Sequence, residues 1–207
     1  EIYPSEQYLM NLAALHGQLG DRQKQLALVE AMLDDDRISR AAYLKMLASL
    51  YLAENLPFKA ANLLETAIAD GRIEADVTTL EQTSQAWYLA QELERAVEPL
   101  ARAAAIAARE TESGELYLRL AGLHMDSYQW SEADQAAALA LEAGGLKREG
   151  EAWLTRGMAN AQLERYDDAR VLFKRAQAFE STRAHADQWL VYVAGEQKTK
   201  AVALGSE

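Results

Sequence analysis

Ala60, Ala96, Ala133 and Ala169 stand in one recurring context, PFKAANLLETA, LERAVEPLARA, WSEADQAAALA and YDDARVLFKRA, at steps of 36, 37 and 36 residues. Each is followed four residues on by Leu64, Leu100, Ala137 or Phe173, and seven on by Ala67, Ala103, Ala140 or Ala176. That spacing draws one stripe along one helix. A stripe that returns with this period confines the chain to a repeat architecture. In such a chain each unit leaves an apolar face that only its neighbour can cover.

A second helical pattern precedes each marker: Leu44, Leu47, Ala48 and Tyr51; Leu80, Thr83, Ser84 and Trp87; Tyr117, Leu120, Ala121 and His124; Trp153, Arg156, Gly157 and Asn160. A small residue takes the third place every time, which lets two helices approach closely, so each unit reads as a helix pair. A weaker copy comes first, with Tyr8, Asn11, Leu12 and Leu15 in its first helix, Leu28 and Ala31 in its second, and Lys24 in place of the marker alanine. Terminal repeats are expected to depart from the pattern. After the last pair, Ala186, Trp189, Leu190 and Val193 predict a capping helix, and the closing KTKAVALGSE has little to bury and reads as a frayed tail. The joints also recur. GRI and GGL place Gly71 and Gly144 where a helix ends in the left-handed conformation, followed by Ile73 or Leu146 to fold back on the last turn, with Ile38 in the same place in DDDRIS.

The expectation is one all-α domain over 1–197, with units at about 5–39, 40–75, 76–112, 113–149 and 150–181, a cap over 182–197 and a flexible tail over 198–207. Half the residues are hydrophobic and only three are proline, which fits an ordered chain with a sizeable core. No apolar run reaches the ~20 residues of a membrane span, so no direct membrane insertion is expected. The start, EIYPSEQYLM, lacks a signal sequence and an initiating Met, as expected of a processed or excised segment of a longer product. A net charge of -11 argues against nucleic acid, which wants a basic stripe, and favours a basic peptide as partner. The absence of cysteine excludes thiolate metal sites, thiol nucleophiles and disulfides.

The pattern resembles the tetratricopeptide repeat, W-x2-L-G-x2-Y followed by A-x3-F and a late proline. The fifth unit carries Trp153, Gly157, Ala169, Phe173 and Ala176, with Arg156, Asn160 and Ser181 where Leu, Tyr and Pro are usual. The resemblance spans about Ser5 to Ser181 and implies a right-handed α-solenoid of about five helix pairs plus a C-terminal capping helix. A finer likeness lies in LYLAENLPFKAANLLETAIADGRIEAD and GELYLRLAGLHMDSYQWSEADQAAALALEAGGLKREGEAWL, which look like the periplasmic repeat proteins associated with TonB-type energy transduction. It implies a non-catalytic adaptor in the periplasm or cell envelope; a cytoplasmic location also fits the composition.

No catalytic constellation stands out. His16, His124 and His185 have no carboxylate or second histidine at metal-ligand spacing, and His124 occupies a packing position. No nucleophile elbow, phosphate loop or dinucleotide fingerprint occurs. Asp34, Asp35 and Asp36 lack the glycine turn and distal glutamate of a calcium loop and read as a solvated helix end. Trp87, Trp130, Trp153 and Trp189 read as core. The chain is therefore expected to be no enzyme and to carry no cofactor and no metal.

The resemblance implies a concave groove lined by the first helix of each pair, one or two places off the packing stripe. That rule selects Met10, Met46, Ser49, Gln85, Tyr88, Leu118, Arg119, Met125, Leu154 and Met158, with Lys45 and Gln82 nearby. Four of the five methionines fall on the list, and methionine adapts to varied apolar partners; the alternative is that these methionines fill gaps between helices. A clamp for a peptide carboxylate is disfavoured, since only Lys45 and Arg119 could serve and Glu81 and Glu115 lie near them. The leading expectation is a protein or peptide bound in the groove. The alternatives are a self-associating repeat scaffold and one domain of an enzyme.

Overall fold

The computed structural model describes residues 4–109 and 114–204. These form eleven α-helices and no strand: α1 (Glu6–Gln18), α2 (Arg22–Asp34), α3 (Ala41–Ala53), α4 (Pro57–Ala69), α5 (Val77–Leu89), α6 (Leu93–Ala107), α7 (Gly114–Asp126), α8 (Trp130–Ala143), α9 (Glu149–Gln162), α10 (Tyr166–Ala176) and α11 (Glu180–Leu204). The helices join in pairs, as the periodicity predicts. They gather in two compact units, Glu1–Ala96 and Val97–Glu207, so α6 begins in the first and continues in the second. The unit boundary expected at 112/113 lies outside the described residues.

One turn closes every pair. The N–H groups of Asp21, Leu56, Glu92, Gln129 and Arg165 donate to the carbonyls of His16, Tyr51, Trp87, His124 and Asn160 over 2.8–3.0 Å. Each bond reaches back five residues and satisfies a carbonyl that the helix end would leave unpaired. The residue just before each donor takes a positive φ: Gly20, Asn55, Gln91, Tyr128 and Glu164. Between pairs the same device recurs at Arg37, bonded to the Met32 carbonyl, and at Arg72, bonded to the Ala67 carbonyl, both at 2.8 Å. Asp36 and Gly71 supply the positive φ there, and Ile38 and Ile73 fold back into the core as expected.

In the first unit Leu44, Leu47, Ala48 and Tyr51 of α3, Ala60, Leu64 and Ala67 of α4, and Leu80, Thr83, Ser84 and Trp87 of α5 are all buried. Trp87 is the anchor. Phe58 meets it edge-on at 5.3 Å between centroids, and the Arg95 guanidinium lies 3.4 Å above its ring while also pairing with Glu65. The Ser84 hydroxyl donates to the Ala96 carbonyl at 2.8 Å, which ties the end of α5 to the start of α6.

The register of the first pair differs from the sequence expectation by one residue. Leu9, Met10 and Ala13 are the buried residues of α1, while Tyr8, Asn11 and Leu15 are exposed; in α2, Val29 and Met32 are buried and Ala31 is exposed. The stripe is thus Leu9, Leu12, Ala13 and His16, with Gln25 rather than Lys24 at the marker place. α1 bears apolar residues on both faces, and Tyr8 and Leu15 mimic the spacing of the true stripe one residue away.

In the second unit Ala133, Ala137 and Ala140 of α8 and Ala169, Phe173 and Ala176 of α10 line the core. Two glycines permit close approach. A Cβ on Gly157 would lie 2.5 Å from the Phe173 ring, and one on Gly114 would lie 2.1 Å from the Gly144 carbonyl oxygen. α11 packs on α9 and α10 through Thr182, Ala186 and Val193, and Trp189 stacks on Phe173 at 5.6 Å. Helix continues through residues 198–204, expected as tail: Lys200 pairs with Glu164 at 2.5 Å and Gln197 donates to Asp167 at 3.0 Å. Residues 205–207 lie outside the described residues.

Candidate partner-binding faces

The twelve residues selected from the sequence divide between the units. Met10, Lys45, Met46, Ser49, Gln82, Gln85 and Tyr88 belong to the first; Leu118, Arg119, Met125, Leu154 and Met158 belong to the second. On α1, α3 and α5 the stripe residues face the pair partner, and the positions beside the stripe decide what is left to bind with.

Met10 is not among them. Only 4% of it is exposed, because the one-residue shift of α1 turns it into the core. Met46 is half-buried on α3, and Ser49 is exposed one turn further on, its hydroxyl donating to the Lys45 carbonyl at 3.0 Å. On α5, Gln82 and Gln85 are exposed and Tyr88 is 39% exposed. These five residues are one thioether, one phenol, one hydroxyl and two amides. Groups of these kinds can meet a peptide, whose backbone needs donors and acceptors and whose side chains need adaptable apolar contact.

Lys45 is already engaged. Its ammonium lies 3.5 Å from the Asp76 carboxylate, which joins α3 to the start of α5. Asp76 is the N-cap of α5, accepting the Thr79 N–H at 2.7 Å. That bond, with help from Lys45, holds the Asp76 carboxyl below its ordinary range. The partner of Lys45 is thus a helix cap in its own fold.

In the second unit Leu118 and Met125 of α7 are half-buried and Arg119 is exposed. Leu154 and Met158 of α9 are half-buried because they pack against the cluster of Ala161, Ala169, Phe173, Ala176, Ala186 and Val193, beside Trp153 and Trp189. Much of their surface is committed to the core. His124 is buried, its Nδ1 2.6 Å from the Gln129 amide oxygen, as its packing position predicted. Arg175 lies 4.6 Å above the Trp153 ring.

Two concavities of the first unit were not selected from the sequence. A cleft of about 540 Å³ runs between α2 and α4, floored by Tyr51 and rimmed by Glu30, Lys59 and Arg72. Lys59 pairs with Glu30 at 2.8 Å and so holds the Glu30 carboxyl below its ordinary value. Burial, reinforced by Glu30, pushes the Tyr51 phenol well above its own. Arg72 donates to the Ile38 carbonyl at 2.5 Å. The charges around this cleft largely cancel one another. The second is a notch of about 350 Å³ at the turn between α3 and α4, lined by Leu56, Pro57, Phe58 and Leu89. Their long-range partners made both invisible to helix periodicity. Among the described residues no group of three or more His, Asp or Glu is placed to hold a metal ion, and no helix is long and apolar enough to cross a membrane.

No protein-family model matches the chain, and no curated protein matches it significantly. Solved structures do. A crystal structure of MamA is 19% identical, with 87% of this chain and 94% of that one covered at a TM-score of 0.62. The C-terminal part of a TPR repeat-containing protein from Cytophaga hutchinsonii is 11% identical, with 92% and 72% covered at 0.63. A tetratricopeptide repeat protein from Parabacteroides merdae is 14% identical, with 97% and 76% covered at 0.61. At these identities the likeness concerns the fold alone, and it establishes an all-α fold of the tetratricopeptide-repeat solenoid type.

Proposed function

We propose that the chain is a non-catalytic protein-interaction scaffold that binds a peptide segment of a partner on the first-helix face of its N-terminal unit. The observation that carries this reading is the division of roles on α3 and α5. The stripe residues are buried, whereas Met46, Ser49, Gln82, Gln85 and Tyr88 beside them are half-buried or exposed. The net charge of -11 favours a basic segment. Leu118, Arg119 and Met125 of α7 offer a second, smaller face of the same kind. The test is affinity capture from a cell-envelope fraction with Met46→Glu/Tyr88→Glu and, separately, Met125→Glu. Loss of a captured partner with the first variant, at unchanged helicity by circular dichroism, supports the reading; capture unaltered by both variants sinks it.

The finer reading is an adaptor of a TonB-type system in the periplasm or cell envelope. It rests on the likeness of residues 50–76 and 114–154 to periplasmic repeat proteins. Identifying the captured partners by mass spectrometry tests it, since recovery of only cytoplasmic proteins would remove this placement while leaving the scaffold role in place.

A further inference from the structure

Tyr8 and Leu15 of α1 sit one residue before and six residues after the first stripe position, Leu9. The equivalent residues of the later pairs are covered: Thr79 and Ala86 on α5 and Ala152 and Ala159 on α9 are wholly buried, and Tyr43 and Leu50 on α3 are half-buried. In those pairs the cover includes the preceding second helix, as α4 lies on α5 and α8 on α9. On α1, by contrast, Tyr8 is 62% and Leu15 50% exposed. Among the described residues the first pair therefore presents the uncovered face of an interior repeat.

The last helix carries a matching surplus. α11 turns Thr182, Ala186 and Val193 into the core, which leaves Ala184, Gln188, Val191, Gly195 and Val202 on its outer side, with Val191 74% and Val202 65% exposed. Neither surface carries charge at its centre. Residues 7–18 and 188–195 contain no Asp, Glu, Lys or Arg, in a chain that is 26% charged. Two copies at a net charge of -11 can meet there without burying a charge or opposing like charges.

We propose that the occupant of the α1 face is α11 of a second copy, seated where a preceding second helix lies in the interior pairs. At 25 residues α11 is about 37 Å long and α1, at 13, about 20 Å, so one helix spans the other. An antiparallel seat, the orientation of consecutive helices in a pair, brings exposed Glu180 toward exposed Arg22 at the start of α2, and exposed Lys198 toward the Glu6 end of α1. The contact is heterologous, so it leaves a free α1 face at one end and a free α11 face at the other, and further copies add. It uses none of Met46, Gln85 or Tyr88, so it stands or falls apart from the peptide-binding reading.

Light scattering on the whole chain across a concentration series tests it. The expected result is an average mass that climbs past two copies. Tyr8→Glu/Leu15→Glu and, separately, Val191→Glu/Gly195→Glu should each be monomeric. All four positions are exposed and a side chain on Gly195 meets nothing, so helicity should be unchanged. Mixed one to one, the two variants should form a dimer that grows no further, because one good α11 face meets one good α1 face. A wild-type chain that stays monomeric, a variant that dimerises alone, or a mixture that stays monomeric would each overturn the proposal, the first leaving the α1 face to a different protein or to preceding chain.

Discussion

Gln91 holds a backbone φ of 63° in the turn between α5 and α6, and Asn55, Tyr128 and Glu164 do the same at 57°, 58° and 58° in the matching turns. Of the five turns within pairs, only that of the first, at Gly20, reaches this region without a Cβ to crowd the following carbonyl. The fold demands the conformation because the next residue's N–H must reach the carbonyl five back, and the chain meets that demand with residues that resist it. Gln91→Gly should therefore raise the stability of the native state by about 1 kcal/mol, since the side chain is exposed. A higher urea midpoint at unchanged slope is the expected reading, and an unchanged midpoint would show that the turn stores no strain at this residue.

Asp76 opens α5 as its cap and draws Lys45 of α3 to the same point. Asp76→Ala should cost about 1 kcal/mol through the lost cap, and Asp76→Asn less, because an amide oxygen can still accept the Thr79 N–H. The Thr79 bonds hold the folded pKa of Asp76 below its ordinary value. The contribution of its charge is thus fully present above the unfolded pKa of about 4 and fades as pH falls through the folded value. Chemical denaturation of wild type and Asp76→Asn at pH 7 and near pH 3 should show their difference shrinking toward acid; a difference independent of pH would mean that the carboxylate acts only as an acceptor. At this scale much of the fold was legible in the sequence. The stripes of the four marked pairs predicted most of their buried residues, with Tyr117, Trp153 and Arg156 only half-buried, because small residues at fixed spacing leave a helix only one face that can approach another closely. The first pair misled because Tyr8 and Leu15 form a second apolar face, and periodicity cannot say which of two faces is buried. The extension of α11 escaped notice because polar contacts to α10 and its preceding turn hold it, through Lys200 and Gln197, and these bonds leave no apolar pattern.

Across the whole molecule, net charge is the property most plainly written in the sequence, and the binding faces are the least. Exposure beside the stripe followed from register only in part: Gln82, Gln85 and Tyr88 are accessible and Met10 is not, while Leu154 and Met158, beside a correctly placed stripe, pack against the core. The cleft floored by Tyr51 depends on how far α2 and α4 diverge, which no local pattern encodes. A net charge of -11 repels itself in the compact state, whereas exposed pairs such as Lys59–Glu30 and Lys24–Asp21 are each worth only about 0–1 kcal/mol. Salt weakens both terms, with a Debye length of about 8 Å at 0.15 M, but the repulsion sums over all the unbalanced charge whereas each exposed pair contributes little. Raising NaCl from about 0.01 to 0.15 M should therefore stabilise the fold, and each kcal/mol gained should raise Tm by about 2–4 °C for a chain of this size. The same change should slow association with a basic peptide by about tenfold or more, because steering by the acidic field is lost over the same range. Thermal melts and stopped-flow binding at the two salt concentrations should move in opposite senses, one toward stability and the other toward slower capture. A Tm that falls with added salt would instead mean that the surface ion pairs outweigh the repulsion, and would predict that replacing Lys59 or Lys24 costs stability only at low ionic strength.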